Sequence, residues 1–146
     1  MKYKILMADD EPDVLSIMAK KIAEHDYDVV TAKDGVEAWE KIQSEAPDII
    51  LLDLNMPGLD GFSVLKALRD NPSSAKWQPV IIISARGELQ DVQKGLSLEA
   101  EHYLVKPCTA DDVLKAIRTV SQLIPLHKTE DELASEINDD DIELIE

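Results

Sequence analysis

Asp48-Ile49-Ile50-Leu51-Leu52-Asp53 is a short aliphatic run that stops on an acid. Four consecutive apolar residues without polar alternation are the pattern of a strand covered on both faces, as in a parallel sheet sandwiched by helices. Three other segments follow the same plan. Lys4-Ile5-Leu6-Met7-Ala8 ends on Asp9-Asp10, Pro79-Val80-Ile81-Ile82-Ile83 ends on Ser84, and His102-Tyr103-Leu104-Val105 ends on Lys106-Pro107. In an open parallel sheet, ligands bind at the carboxyl ends of the strands, near the point where strand order reverses. The four ends would therefore converge on one pocket holding three carboxylates, a hydroxyl and an ammonium. That set suits a hard metal ion and a phosphoryl group.

Helical patterns fill the gaps between the strands. Val14, Ile17, Met18 and Ile22 recur at helical spacing, with Pro12 early in the segment, where a missing N–H costs little. Val29 and Val30 within Tyr27–Ala32 suggest a further strand. Val36, Trp39 and Ile42 mark a second helix that Pro47 closes, and Phe62, Leu65 and Leu68 mark a third. Asn71-Pro72-Ser73-Ser74 reads as a loop. Leu89, Val92 and Leu96 give a weaker fourth helix. Thr109 is placed to cap a last helix, with Asp111 and Asp112 in its first turn and Val113, Ala116, Ile117 and Val120 on its buried face. Pro125 should terminate it. A regular βα alternation argues for an α/β fold, a parallel sheet with helices on both faces.

Composition narrows the class. With 146 residues, 45% of them hydrophobic, the chain can bury a core without disulfides or structural metal. Its one cysteine, Cys108, is read as a small packing residue. No apolar run approaches the roughly 20 residues of a membrane span, and the amino terminus carries no signal-peptide pattern. A cytoplasmic location without membrane insertion is expected. The net charge is −15; residues 129–146 carry nine acids and no Lys or Arg, and the rest of the chain nets −6. Neither part has the clustered cations that nucleic acid requires, so direct nucleic-acid contact is not expected.

Taken singly, these residues say less. Asp9-Asp10 also reads as a cap or a solvated loop pair, and Ser84 alone is uninformative. Lys106-Pro107 is more specific, since a Lys-Pro after a strand can adopt a cis bond in a tight turn. The conjunction, in this order and each at a strand end, carries the weight. The elements Asp9-Asp10-Glu11, Leu51-Leu52-Asp53-Leu54-Asn55-Met56-Pro57-Gly58-Leu59-Asp60-Gly61, Ile83-Ser84-Ala85 and Tyr103-Leu104-Val105-Lys106-Pro107 resemble the receiver domain of two-component response regulators, over residues 3 to about 124.

The resemblance implies a doubly wound, flavodoxin-like sheet of five strands in order 2-1-3-4-5. It implies a receiver domain over residues 1–124, and the run of acids makes residues 125–146 an acidic C-terminal tail that is expected to be flexible. Asp53 would be the phosphoacceptor, forming an acyl phosphate with a phosphoryl group from a histidine kinase or a histidine phosphotransfer protein. Asp10, Asp53 and the backbone carbonyl of Asn55 would bind Mg²⁺, with Asp9 acting through a metal-bound water; such an all-oxygen site suits Mg²⁺. Lys106 and Ser84 would bind the phosphoryl oxygens. Ser84 and Tyr103 would form the switch, carrying the signal to a face made by the fourth helix, fifth strand and last helix, where a downstream protein target binds. Asn55 and Arg86 lie where phosphoryl lifetime is tuned, and Pro107 makes the turn. Cys108 stands where Phe is common and Ala100 where Gly is common.

Competing classes fit less well. An aspartyl-nucleophile phosphatase typically carries a second Asp two residues after the nucleophile, and Asn55 stands there. No P-loop or G-x-G-x-x-G occurs among the five glycines. The intact Asp9, Asp10, Asp53, Ser84 and Lys106 argue against a receiver-like scaffold without phosphate chemistry. Too few residues follow Leu126 for a DNA-binding fold, so output passes through partner proteins unless the chain is a fragment of a longer regulator. The tail reads either as a solubilising segment or, through Leu133, Ile137, Ile142, Leu144 and Ile145, as one that docks on a partner or a second copy.

Overall fold

The structure is a computed structural model and describes residues 2–71 and 76–127. Most of the expected loop after Asn71 and the whole tail from Lys128 lie outside the described residues. Strands β1 (Lys4–Ala8), β2 (Asp28–Ala32), β3 (Ile49–Leu52), β4 (Val80–Ser84) and β5 (His102–Val105) alternate with helices α1 (Pro12–Ala23), α2 (Gly35–Glu45), α3 (Gly61–Asp70), α4 (Leu89–Ser97) and α5 (Ala110–Ser121). The strands form one parallel sheet in the order β2-β1-β3-β4-β5, as the resemblance implies.

Period-two alternation sorts the strand residues into two cores. Leu6, Ala8, Ile50, Leu52, Val80 and Ile82 face Ala38 and Ile42 of α2 and Phe62, Leu65 and Leu68 of α3. Ile5, Met7, Ile49, Leu51, Ile81 and Ile83 face Leu15 and Ile22 of α1 and Val113, Ile117 and Val120 of α5. The central strands β1, β3 and β4 are covered on both sides, which is why they read as unbroken aliphatic runs.

Local chemistry sets the helix ends. Pro12 occupies the first turn of α1. The Asp34 and Asp60 carboxylates cap α2 and α3, accepting from Glu37 N–H at 2.7 Å and Ser63 N–H at 2.8 Å. Thr109 and Asp112 form a reciprocal capping box on α5. Two ends differ from the sequence expectation. The stop of α2 is made by Ala46, at φ 44°, one residue before Pro47. α5 ends at Ser121, and Pro125 lies in a following 3₁₀ turn, Ile124–His127, whose Ile124 packs on the α1/α5 core.

Candidate functional site

Strand register brings the site together. Ala8 pairs with Leu52 across β1 and β3, so the next residues, Asp9 and Asp53, stand side by side at the carboxyl edge of the sheet. The backbone continues the ladder one step further, with Asp53 N–H donating to Ala8 C=O at 3.0 Å and Asp9 N–H to Ala32 C=O at 3.1 Å. On the other side, Ser84 pairs with Val105, and Lys106 N–H donates to Ser84 C=O at 2.8 Å. The peptide between Lys106 and Pro107 is cis. Lys106 reaches back over the sheet end: its Nζ lies 2.9 Å from Asp9 Oδ2 and 3.3 Å from Asp53 Oδ2.

The glycine of the Asp60-Gly61 pair has a spatial reason that composition does not reveal. A Cβ on Gly61 would lie 2.3 Å from the Asp53 carbonyl oxygen and 2.9 Å from Leu54 Cα. Only a residue without a side chain lets α3 start hard against the strand end that carries Asp53.

The electrostatics are lopsided. The Asp9 and Asp53 side chains are almost wholly buried, at 3% and 6% exposure, while Asp10 is exposed at the rim. Ligand oxygens of all three lie within 4.8 Å of one another, and one ammonium faces them. Burial raises the Asp53 carboxyl above its ordinary value and the charge of Asp9 adds to this, against the opposing pull of Asn55 N–H and Lys106. Burial works against the charge on Lys106 too, but its contacts with Asp9 and Asp53 outweigh this and hold its pKa above the usual lysine value. Among the described residues, Asp9, Asp10 and Asp53 are the acidic group spaced to share a cation. A hard, oxygen-preferring divalent ion fits two buried carboxylates and one at the rim, a set that carries more negative than positive charge.

The remaining residues surround this cluster. Asp53 Oδ1 accepts from Asn55 N–H at 3.2 Å, and Asp9 Oδ1 from Glu11 N–H at 2.9 Å, so neither acid serves as a helix cap. Ser84 is fully buried and its Oγ accepts from Arg86 N–H at 3.1 Å. The Arg86 guanidinium turns aside to Asp91 on α4, at 2.8 Å. Tyr103 donates its hydroxyl to the Arg86 carbonyl, and its ring packs on the α2/α3 core. A second feature escaped the sequence reading: a Cβ on Gly95 of α4 would come within 3.1 Å of the Tyr103 ring, so Gly95 makes room for the ring to lie inward. The aromatic spacing offered no signal of this. Cys108 lines an apolar hollow of about 440 Å³ with Met7, Val14, Met18 and Ile83, beside Lys106. Burial, with Asp112 close by, pushes its thiol pKa up, consistent with a packing role.

Comparison with known proteins identifies the family. The profile of the response regulator receiver domain matches residues 5–118. The alkaline phosphatase synthesis transcriptional regulatory protein PhoP of Bacillus subtilis is 36% identical over 120 residues, 82% of this chain and 49% of PhoP. The chain thus spans about half the length of such curated relatives. The solved receiver domain of Francisella response regulator 1452 superposes with a TM-score of 0.77 at 33% identity, covering 83% of this chain and 98% of that one. A CheX–CheY–BeF3–Mg²⁺ complex from Borrelia burgdorferi contains a chain that is 29% identical, with a TM-score of 0.74, covering 81% of this chain and 88% of that one. Among the described residues no helix is long and apolar enough to cross a membrane. By profile, by identity and by fold, this chain belongs to the response regulator receiver family, the signalling modules of two-component systems.

Proposed function

We propose that Asp53 accepts a phosphoryl group from a histidine kinase or a histidine phosphotransfer protein, in the cytoplasm, and that the acyl phosphate switches a protein-binding face. The observation that carries this reading is the placement of Asp53, buried at a strand end between Asp9 and Lys106. A desolvated carboxylate held more basic than usual gains from any electrophile or cation brought to it. One Asp53 oxygen bonds to phosphorus as the bond from phosphorus to the donor's imidazole nitrogen breaks. Asp10, Asp53 and the Asn55 carbonyl would hold Mg²⁺, with Asp9 bound through a water. When bound, the ion supplies positive charge that offsets the carboxylates and the phosphoryl oxygens.

Lys106 already spans Asp9 and Asp53, so a small shift of its ammonium reaches a phosphoryl oxygen. Ser84 Oγ accepts from Arg86 N–H, and its hydroxyl, within hydrogen-bond reach of the Tyr103 oxygen, can turn to donate to the phosphoryl group. A Ser84 drawn toward Asp53 pulls on the Arg86 segment that holds the Tyr103 hydroxyl. Output then passes through the α4, β5 and α5 face to a downstream protein. The apolar hollow beside Lys106 suits an apolar helix face of the phosphodonor. Asn55 and Arg86 flank the entry and set the hydrolytic lifetime; the only reactions catalysed are the chain's own phosphotransfer and dephosphorylation.

Incubation with a small phosphodonor and Mg²⁺, read by intact mass, should add one phosphoryl group to the wild type and none to Asp53→Asn. Undiminished labelling of Asp53→Asn would contradict the assignment. Ser84→Ala should accept phosphate yet show a weaker change in amide exchange around α4 and Tyr103.

A further inference from the structure

Arg86 is tied down at three points. Its backbone N–H donates to Ser84 Oγ at 3.1 Å, its carbonyl accepts from the Tyr103 hydroxyl, and its guanidinium pairs at 2.8 Å with Asp91 in the first turn of α4. The guanidinium carbon also lies 5.4 Å from the centroid of the Phe62 ring. Lys94, three residues past Asp91 on α4, holds its Nζ 4.5 Å from the same centroid. Two cations therefore share one buried ring, and Asp91 is the acid that pairs with Arg86 beside it.

This assembly borders the acidic pocket. Phe62 follows Gly61, which is pressed against the Asp53 carbonyl, and Arg86 is rooted two residues past Ser84. The Tyr103 hydroxyl feels every charge concerned: burial raises its pKa above the ordinary value, Asp91 adds to the rise, Arg86 opposes it, and Asp53 acts in the same sense as Asp91. The pocket sets three acids against the ammonium of Lys106, so a further cation nearby is drawn inward. Asp91 is the acid that competes for Arg86. Their side chains are 20% and 42% exposed, and an ion pair so open to solvent is weak enough to break.

We propose that Asp91 is a positioning residue for phosphotransfer: it holds the Arg86 guanidinium over Phe62 and away from the Asp53 pocket, and thereby slows capture of dianionic phosphodonors. Without Asp91, repulsion from Lys94 and attraction by the acids of the pocket both send the guanidinium toward the entry. There it pairs with the oxygens of an incoming phosphate. This role presupposes Asp53 as the phosphoacceptor.

The experiment measures initial rates of phosphorylation by intact mass, in the full-length protein with Mg²⁺ at low salt. The donors are dianionic acetyl phosphate and phosphoramidate, which carries less negative charge. Asp91→Asn should raise the ratio of the acetyl phosphate rate to the phosphoramidate rate about threefold over wild type, the scale of an exposed ion pair, and the rise should fade at high salt. Asp91→Glu, which keeps the pair, should keep the wild-type ratio. In an Arg86→Ala background, Asp91→Asn should leave the ratio where Arg86→Ala alone puts it. An equal rise in that background overturns the proposal, because Asp91 then acts through its own charge. Asp91→Glu behaving as Asp91→Asn overturns it as well. A wild type that labels no more than Asp53→Asn overturns the phosphoacceptor reading and this role with it; an unchanged ratio in Asp91→Asn, beside a wild type that labels at Asp53, overturns this role alone.

Discussion

At the amino ends of β4 and β5, Glu101 meets Arg69; at the carboxyl ends of the same sheet, Asp9 and Asp53 meet Lys106. The lower pair is one acid against one base. Arg69 Nη2 reaches both Glu101 oxygens at 3.0 and 3.1 Å, Nη1 donates to the Gln78 carbonyl at 2.9 Å, and Val80 N–H donates to the carboxylate. Every strong group there has a partner, and the effect is to tie the end of α3 to the start of two strands. The upper cluster sets three acids against one ammonium, with Asp10 left at the rim. Buried charge serves structure where it balances, and it marks a binding site where it does not.

The largest expected effect lies at the balanced end. Arg69→Ala leaves Glu101 buried without its cation and should cost about 3 kcal/mol in urea unfolding. Uptake of phosphate on Asp53 should survive at a temperature where the variant is folded. A loss under 0.5 kcal/mol, the scale of an ordinary surface substitution, would show that the lower pair is not structural.

A substitution at the other end should have the opposite sign. Asp53→Asn removes a charge that burial disfavours, so metal-free Asp53→Asn should be more stable than metal-free wild type, by on the order of 1 kcal/mol. Destabilisation of similar size would mean that the upper cluster is already satisfied by Lys106.

The smallest effect is a pH dependence. Burial raises Glu101 above its ordinary value of 4.5, with Val80 N–H and Arg69 only partly opposing it. A carboxyl raised in the folded state binds its proton more tightly there than when unfolded. The stability linked to that proton is present below the unfolded pKa and is lost as pH rises through the folded one. The stability advantage of wild type over Glu101→Gln should therefore shrink as pH rises from about 4 toward neutrality. An advantage that grows over this range would show Arg69 winning over burial.

The two ends also differ in how much the sequence discloses. Asp9, Asp53, Ser84 and Lys106 were legible because each follows an aliphatic run, and a parallel sheet gathers such ends by register. The α5 cap was legible as well, since Thr109 and Asp112 act within one turn. Arg69 and Glu101 gave no sign: they lie 32 residues apart and join only because the last turn of α3 comes to the amino ends of β4 and β5. The reasons for Gly61 and Gly95 were equally hidden, because each is defined by the backbone or ring pressed against it. The stop of α2 at Ala46 is hidden in the same way, since a left-handed alanine leaves no mark in composition and Pro47 is the more visible breaker. Sequence periodicity carries local order and strand ends; long-range contacts between single side chains enter only through the fold.

The central claim is that the upper cluster is short of positive charge and takes a divalent cation to make it good. Thermal unfolding with and without Mg²⁺ tests it most directly, in wild type and in Asp10→Ala. At a concentration about a hundred times its dissociation constant, Mg²⁺ should stabilise wild type by about 2.7 kcal/mol. Asp10→Ala should lose most of that gain while remaining folded. A full Mg²⁺ shift retained in Asp10→Ala would place the ion elsewhere and contradict the account.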